Sequence, residues 1–281
     1  MRMTSKNATW TEMRIFIIGC GYVGLPLGKA LAEMGHEVHG VRRTNFTAED
    51  ITPHAIDITE GGAFDAVPRD FDWVINTVSS ARGDAETHRA VFVDGTKNLL
   101  EWLGDSPARV LFTSSTSVYP QTDGAWVDET SPANGPVLRE AEELFLNAPQ
   151  AATVLRVAGI YGPERGYLFR QFLKGEAVLT EGGARWINMI HRDDVVDAIL
   201  AAMKCEPNIY NVADDEPVTQ RGFFEWLAQR LSKPMPPEGE RVSHKRVATS
   251  KRVRNAKLKA AGWELRFPTF REGYENLIRE E

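Results

Sequence analysis

An α/β fold built on a doubly wound parallel sheet is what this sequence predicts, on three observations. An apolar run, a glycine turn, a helical stretch and a second apolar run follow one another from Arg14 to Arg43. Strand-like and helix-like segments then keep alternating until Tyr161. At 281 residues the chain is long enough for one large domain with an appended lobe.

The first element is the apolar run RIFII, Arg14 to Ile18, read as a strand. A helix follows, with Leu27 and Leu31 one turn apart and Gly35 where a C-terminal glycine belongs. Glu37 to Val41 resume as a strand. Further strands are expected at His54 to Ile58, Trp73 to Val78, Arg109 to Thr113 and Ala152 to Val157, with helices over His88 to Leu103 and Leu138 to Leu146. Beyond Tyr161 the elements shorten. A helix is expected at Phe169 to Lys174, a strand at Trp186 to Ile190, and helices at Asp193 to Met203, Gln220 to Leu231 (N-capped by Thr219) and Phe270 to Arg279. The division expected is a flexible extension over residues 1–12, a dinucleotide-binding domain over 13–160 and a smaller, mainly substrate-binding α/β lobe over 161–281, with elements that can return to the sheet.

Gly19-Cys20-Gly21-Tyr22-Val23-Gly24 is a GxGxxG turn placed directly after a strand and opening a helix, the context that gives this short motif its meaning as a Rossmann dinucleotide fingerprint. Gly19 permits the tight turn, Gly21 lets backbone N–H groups approach a pyrophosphate, and Gly24 lets helix and strand pack closely. Tyr22 and Val23 complete the turn, and the helix N-terminus attracts the negative charge. The second strand ends in Arg42-Arg43 rather than in an acidic residue, and guanidinium groups there can grip a 2′-phosphate. NADP(H) is therefore expected in preference to NAD(H). Asp57 is a candidate acceptor for the adenine amino group, or an ordinary turn aspartate.

The net charge of −6 and the shortness of the two basic runs, Arg42–Arg43 and His244 to Arg254, argue against a nucleic-acid partner. No run approaches the roughly 18 apolar residues that span a bilayer, so no membrane partner is expected. The two cysteines, Cys20 and Cys205, show no CxxC spacing and point to a reduced cytoplasm. The six histidines are dispersed without metal-ligand spacing, and no GxSxG is present, so neither metal nor serine-hydrolase chemistry is expected.

Several blocks, taken in order, resemble the extended short-chain dehydrogenase/reductase family, also called the NAD-dependent epimerase/dehydratase family. They are the glycine turn, Val93 to Leu100 (VDGTKNLL), Phe112 to Tyr119 (FTSSTSVY), Leu155 to Pro163 (LRVAGIYGP), Ile190 to Asp194 (IHRDD) and Tyr210 to Val212 (YNV). The resemblance implies a Rossmann domain with a smaller C-terminal lobe, a possible homodimer, and nucleotide sugars or related small carbonyl or hydroxyl compounds as substrates, acted on by hydride transfer. It implies that Thr77 and Val78 lie where the fourth strand passes the cofactor, and that Ser115 is the catalytic hydroxyl. Ser117, Tyr161, Asn188 and His191 become candidate substrate contacts.

One departure is large. Family members carry YxxxK on the helix after that serine, where tyrosinate is the acid–base group and lysine lowers its pKa. Here none of the six tyrosines has a lysine four residues on, and the helix reads NGPVLREAEELFL from Asn134 to Leu146. The chain is thus an atypical member by resemblance. Either Tyr119, Tyr161 or His191 donates the proton instead, or the chemistry has been lost and a non-catalytic NADP(H) sensor remains. Tyr119 and Tyr161 have a bland alternative as core or loop anchors, and His191 as a helix cap.

Overall fold

The computed structural model describes residues 11–80, 84–240 and 249–280. The N-terminal extension lies outside them apart from Thr11 and Glu12, as does the start of the basic run at His244. Seven strands form the central sheet: β1 Arg14–Ile18, β2 Glu37–Arg42, β3 Ile51–Ala55, β4 Trp73–Asn76, β5 Arg109–Ser115, β6 Ala152–Val157 and β7 Ile209–Val212. Their order is β7-β6-β5-β4-β1-β2-β3, and the registered pairs are parallel. The chain winds outward from β1 to β3, returns, and winds outward again from β4, which is the doubly wound parallel arrangement expected. The order reverses between β1 and β4, and in open α/β sheets such a point opens a crevice at the strands' carboxyl ends.

The chain divides into two compact units. One comprises the chain up to Phe112 with Leu144–Ala152, and the other Thr113–Glu143 with the chain from Thr153 onward. In the first unit Ile15, Phe16 and Ile17 of β1 are fully buried, as are Leu27 and Leu31 on the helix Gly24–Glu33 (α1). Their spacing of four residues puts both on one face, so that face packs on the sheet. The aromatic part of this core is Phe16 stacked on Phe71 at 4.9 Å, with Trp102 at 5.4 Å.

The second unit has its own core of Tyr161, Phe169, Phe172, Phe223, Phe224, Phe270 and Tyr274, with Leu227 and Met189. Short pairs of strands brace it: Gly159–Tyr161 beside Met189–His191, Trp186–Ile187 beside Val218–Thr219, and Trp126–Val127 beside Arg252–Val253. Thr219 caps the helix Gln220–Leu231 as expected, its hydroxyl accepting from Gly222 N at 3.1 Å.

Four elements depart from expectation. The third strand is Ile51–Ala55, not His54 to Ile58, and contains Pro53. Proline is tolerated because β3 is an edge strand that needs no donor on its open side. The fourth strand stops at Asn76, whose side-chain oxygen accepts from Val78 N at 3.1 Å and turns the chain. The helix over residues 88–103 begins at Ala85 and contains a π-turn, Ala90–Asp94. The segment Trp186 to Ile190 is two strands broken at Asn188. Among the described residues no helix is long and apolar enough to cross a membrane.

Candidate functional site

In the first unit the glycine turn joins β1 to α1 beside the end of β4. Gly19 has φ +93°, and a Cβ there would stand 2.8 Å from Val78 N and 2.9 Å from the Thr77 carbonyl carbon. Both conformation and space therefore demand glycine at this position. Gly24 packs against the Gly19 carbonyl, and a Cβ would also meet the Thr77 hydroxyl at 2.7 Å. Thr77 ties the strand ends together, its N–H donating to Ile18 O at 2.8 Å and its hydroxyl to Gly19 O at 2.9 Å. Thr77 and Val78 thus lie against the turn, where the fourth strand was expected to pass.

Gly21 is different. A Cβ there would meet no atom closer than 3.9 Å, and the residue lies outside the positive-φ region. Among the described residues nothing requires glycine at this exposed position, so the space over Gly21 is an open cradle that a side chain would fill. That fits the close approach of a pyrophosphate. Tyr22 is half-buried and Val23 buried at the start of α1. Cys20 points into the core, and burial pushes its thiol up to about 12, so it is chemically inert at neutral pH.

Arg42 and Arg43 are both exposed at the end of β2, with the Arg42 guanidinium 5.5 Å over the ring of Phe46. Asp57 lies two residues past the end of β3. One oxygen accepts from Thr59 N at 3.0 Å and from the Thr59 hydroxyl at 2.7 Å. Those bonds, with Arg43 nearby, hold its carboxyl below the usual range. Asp57 thus closes a local turn through one oxygen, and among the described residues its second oxygen accepts no hydrogen bond.

In the second unit Ser115 ends β5 and caps the 3-10 turn Thr116–Val118, its Oγ accepting from Ser117 N at 3.1 Å. That bond leaves the hydroxyl proton uncommitted among the described residues, so Ser115 can still donate to an incoming oxygen. Ser117 is exposed on the same turn. Ser114, one residue earlier, is buried and donates to Glu142 Oε1 at 2.6 Å.

The three candidate substitutes for the missing acid–base pair are all buried. Tyr119 is fully buried; its hydroxyl donates to Asn211 Oδ1 at 2.8 Å and accepts from Arg156 Nη1 at 3.0 Å. Burial raises its pKa despite the arginine. Tyr161 is buried and stacked on Tyr274 at 4.3 Å, and burial raises its pKa strongly. Gly273 lacks a Cβ where the Tyr161 ring lies. His191 is buried and N-caps the helix Arg192–Ala202, its Nδ1 accepting from Asp193 N at 3.2 Å. Asn188 likewise commits its side chain to the protein, donating to Lys251 O at 2.9 Å and accepting from Val253 N at 2.8 Å.

The segment Asn188 holds carries a residue that sequence reasoning missed. Lys251 is 5% exposed, and its Nζ donates to Tyr119 O at 3.0 Å and to the Thr249 hydroxyl at 2.8 Å. Burial, with Arg185 nearby, lowers its pKa to about 8. A single lysine inside a basic run gives no periodicity and no motif, so nothing in the sequence marked it.

Sheet order, switch point and glycine cradle define a dinucleotide-binding α/β protein. The chain belongs to the NAD-dependent epimerase/dehydratase family, whose family model matches residues 15–213. It is 30% identical to Protein YeeZ of Escherichia coli (strain K12) over 241 residues, covering 78% of this chain and 84% of that protein. It is 27% identical to a 3-diazoavenalumate denitrifying reductase of Streptomyces sp over 310 residues, covering 93% of this chain and 99% of the relative. Among solved structures, a Methylobacillus flagellatus protein named provisionally as an NAD-dependent epimerase/dehydratase is 30% identical, with TM-score 0.78 and coverage of 96% and 99%. An NAD-dependent oxidoreductase or epimerase-like role follows from this membership.

Proposed function

We propose that this protein is an NADP(H)-preferring oxidoreductase acting on a small carbonyl or hydroxyl compound, a nucleotide sugar among the candidates. The observation that carries the reading is the open cradle over Gly21 at the switch point of the sheet, with Arg42 and Arg43 exposed at the end of β2. Gly19, Gly21 and Gly24 shape the pyrophosphate site. Arg42 and Arg43 present guanidinium donors suited to a 2′-phosphate. A bound nicotinamide dinucleotide supplies reversible hydride exchange with a carbon that bears oxygen. Ser115, with its hydroxyl proton uncommitted, donates a hydrogen bond to that oxygen. The reductase name of the Streptomyces relative supports the reducing direction.

The test is a titration of dinucleotide-stripped protein with NADPH and with NADH, following nicotinamide fluorescence at fixed salt. Tight NADPH and weak NADH are expected. Binding of neither would remove the enzyme reading. A second reading, a non-catalytic NADP(H) sensor, is favoured by the packing roles of Tyr119, Tyr161 and His191. Turnover of any carbonyl compound with NADPH excludes it as the whole function.

A further inference from the structure

The two arginines at the end of β2 have different neighbours. Arg42 lies two residues after Gly40, on the same face of the strand. A Cβ on Gly40 would collide with Cys20 Sγ, and would stand 3.0 Å from Ile51 Cγ2 and 3.2 Å from Phe46 Cζ. The half-buried ring of Phe46 thus rests its tip on the space that this buried glycine leaves. Its face takes the Arg42 guanidinium, 5.5 Å from the ring centroid. Asp57, held below the usual range by its bonds to Thr59, also feels the charge of Arg43. Cys20 in the glycine turn, its thiol pushed up by burial, feels that of Arg42 instead.

An aromatic ring supports a guanidinium without spending it. Among the described residues Arg42 makes no ion pair. A carboxylate would cancel its charge and occupy its fork of donors, whereas a π-face attracts the cation and takes none of its N–H groups. Those donors stay available for the oxygens of an anion. An unsupported arginine loses most of its rotamer freedom when an anion fixes it, and a ring that already limits those rotamers lowers that loss.

We propose that Phe46 is a positioning residue for recognition of a 2′-phosphate: its ring, seated on Gly40, holds Arg42 in place with its charge unneutralised, and makes Arg42 rather than Arg43 the arginine that sets the preference for the phosphorylated dinucleotide. The assignment rests on the NADP(H) reading above. Phe46 touches no part of the dinucleotide in this role and acts through Arg42 alone. A ring that merely filled space beside β2 would affect phosphorylated and unphosphorylated ligands alike, so the two roles differ in what they do to selectivity.

The probes are adenosine 2′,5′-bisphosphate and adenosine 5′-monophosphate, which differ only in the 2′-phosphate, titrated calorimetrically into the dinucleotide-stripped full chain at fixed salt. Phe46→Leu and Phe46→Met keep apolar bulk over Gly40 and lose the π-face. Each should weaken the bisphosphate about two- to fivefold, as loss of an exposed cation–π contact implies, and leave the monophosphate unchanged. Phe46→Tyr keeps the π-face and should keep the wild-type ratio of the two affinities. In an Arg42→Ala background Phe46→Leu should change that ratio no further, because the residue through which the ring acts is gone. Equal losses for both ligands, or the same loss of ratio with Arg42 absent, would overturn the inference and leave Phe46 a packing residue. The wild type separates the two failures. A wild type that binds the bisphosphate no tighter than the monophosphate sinks the NADP(H) reading and the role with it. A wild type that prefers the bisphosphate by a ratio that Phe46→Leu and Phe46→Met leave untouched sinks the positioning role alone.

Discussion

The guanidinium of Arg156 lies against the carboxylate of Glu142 through two bonds, Nε to Oε1 at 3.1 Å and Nη2 to Oε2 at 2.8 Å, with both residues almost completely buried. Ser114 and Arg139 also bond to the carboxylate, and Arg156 bonds in turn to the Tyr119 hydroxyl. A buried pair of this kind is strongly destabilising when halved, because the remaining charge keeps its desolvation cost without its partner. Glu142→Gln and Arg156→Met are each expected to lower unfolding free energy by about 3–5 kcal/mol. The double variant should lose clearly less than the sum. Urea denaturation of the three variants measures this, and strict additivity would show that the pair does not act as a unit.

Tyr119→Phe removes the hydroxyl that Arg156 and Asn211 share. The cost expected in stability is about 1–3 kcal/mol, from two buried groups losing a partner. Once a turnover assay exists, kcat should change less than about threefold at constant folded fraction. A 100-fold loss would restore Tyr119 as a catalytic group.

Gly21→Asp and Gly24→Ala should separate binding from folding. Aspartate at 21 finds open space within the protein, so the melting temperature should stay within a few degrees of wild type. Bulk and negative charge in the cradle should weaken NADPH binding more than about 100-fold. Alanine at 24 meets the Gly19 carbonyl and the Thr77 hydroxyl, and should cost about 1–3 kcal/mol of stability as overpacking does. Unchanged NADPH affinity in Gly21→Asp would remove the cofactor assignment.

Arg42→Ala and Arg43→Ala test the phosphate preference. Charge-assisted hydrogen bonds contribute about 1.5–3 kcal/mol, so NADPH affinity should fall roughly 10–100-fold in whichever variant loses the contact. NADH affinity should hardly move. Equal losses for both dinucleotides would assign the arginines a general electrostatic role.

Asp194 predicts a pH dependence of stability. It is fully buried, and burial pushes its carboxyl up to about 6 even though it accepts from Arg266 N at 2.5 Å and Phe267 N at 3.3 Å. The folded state therefore holds the proton more tightly than the unfolded chain, whose aspartate titrates near 4. Its contribution is fully present below pH 4 and is lost as pH rises through about 6, on the order of 3 kcal/mol in all. Relative to wild type, Asp194→Asn should gain stability on going from pH 4 to pH 6.5. A difference that stays flat across that window would reject the shift.

The sequence by itself determined what local chemistry dictates. A glycine turn between a strand and a helix can be read because steric demand at Gly19 and Gly24 is written in residue type. The apolar spacing of Leu27 and Leu31 can be read because one helix face must meet the sheet. Strands hidden by non-apolar residues could not be read this way. Pro53 masks β3, since only an edge position excuses a missing donor. Asn211 masks β7, since its polarity is satisfied by Tyr119 and by Arg254 O, both remote in sequence. The surroundings of the candidate proton donors were hidden by the same remoteness. Whether Tyr119 is a catalyst or an anchor depends on Arg156 and Asn211, and Lys251 draws its lowered pKa and its fixed position from partners such as Tyr119, 132 residues away in the chain. Desolvation and hydrogen bonding to remote partners are properties of the packed structure, and they decide which titratable groups are free to do chemistry.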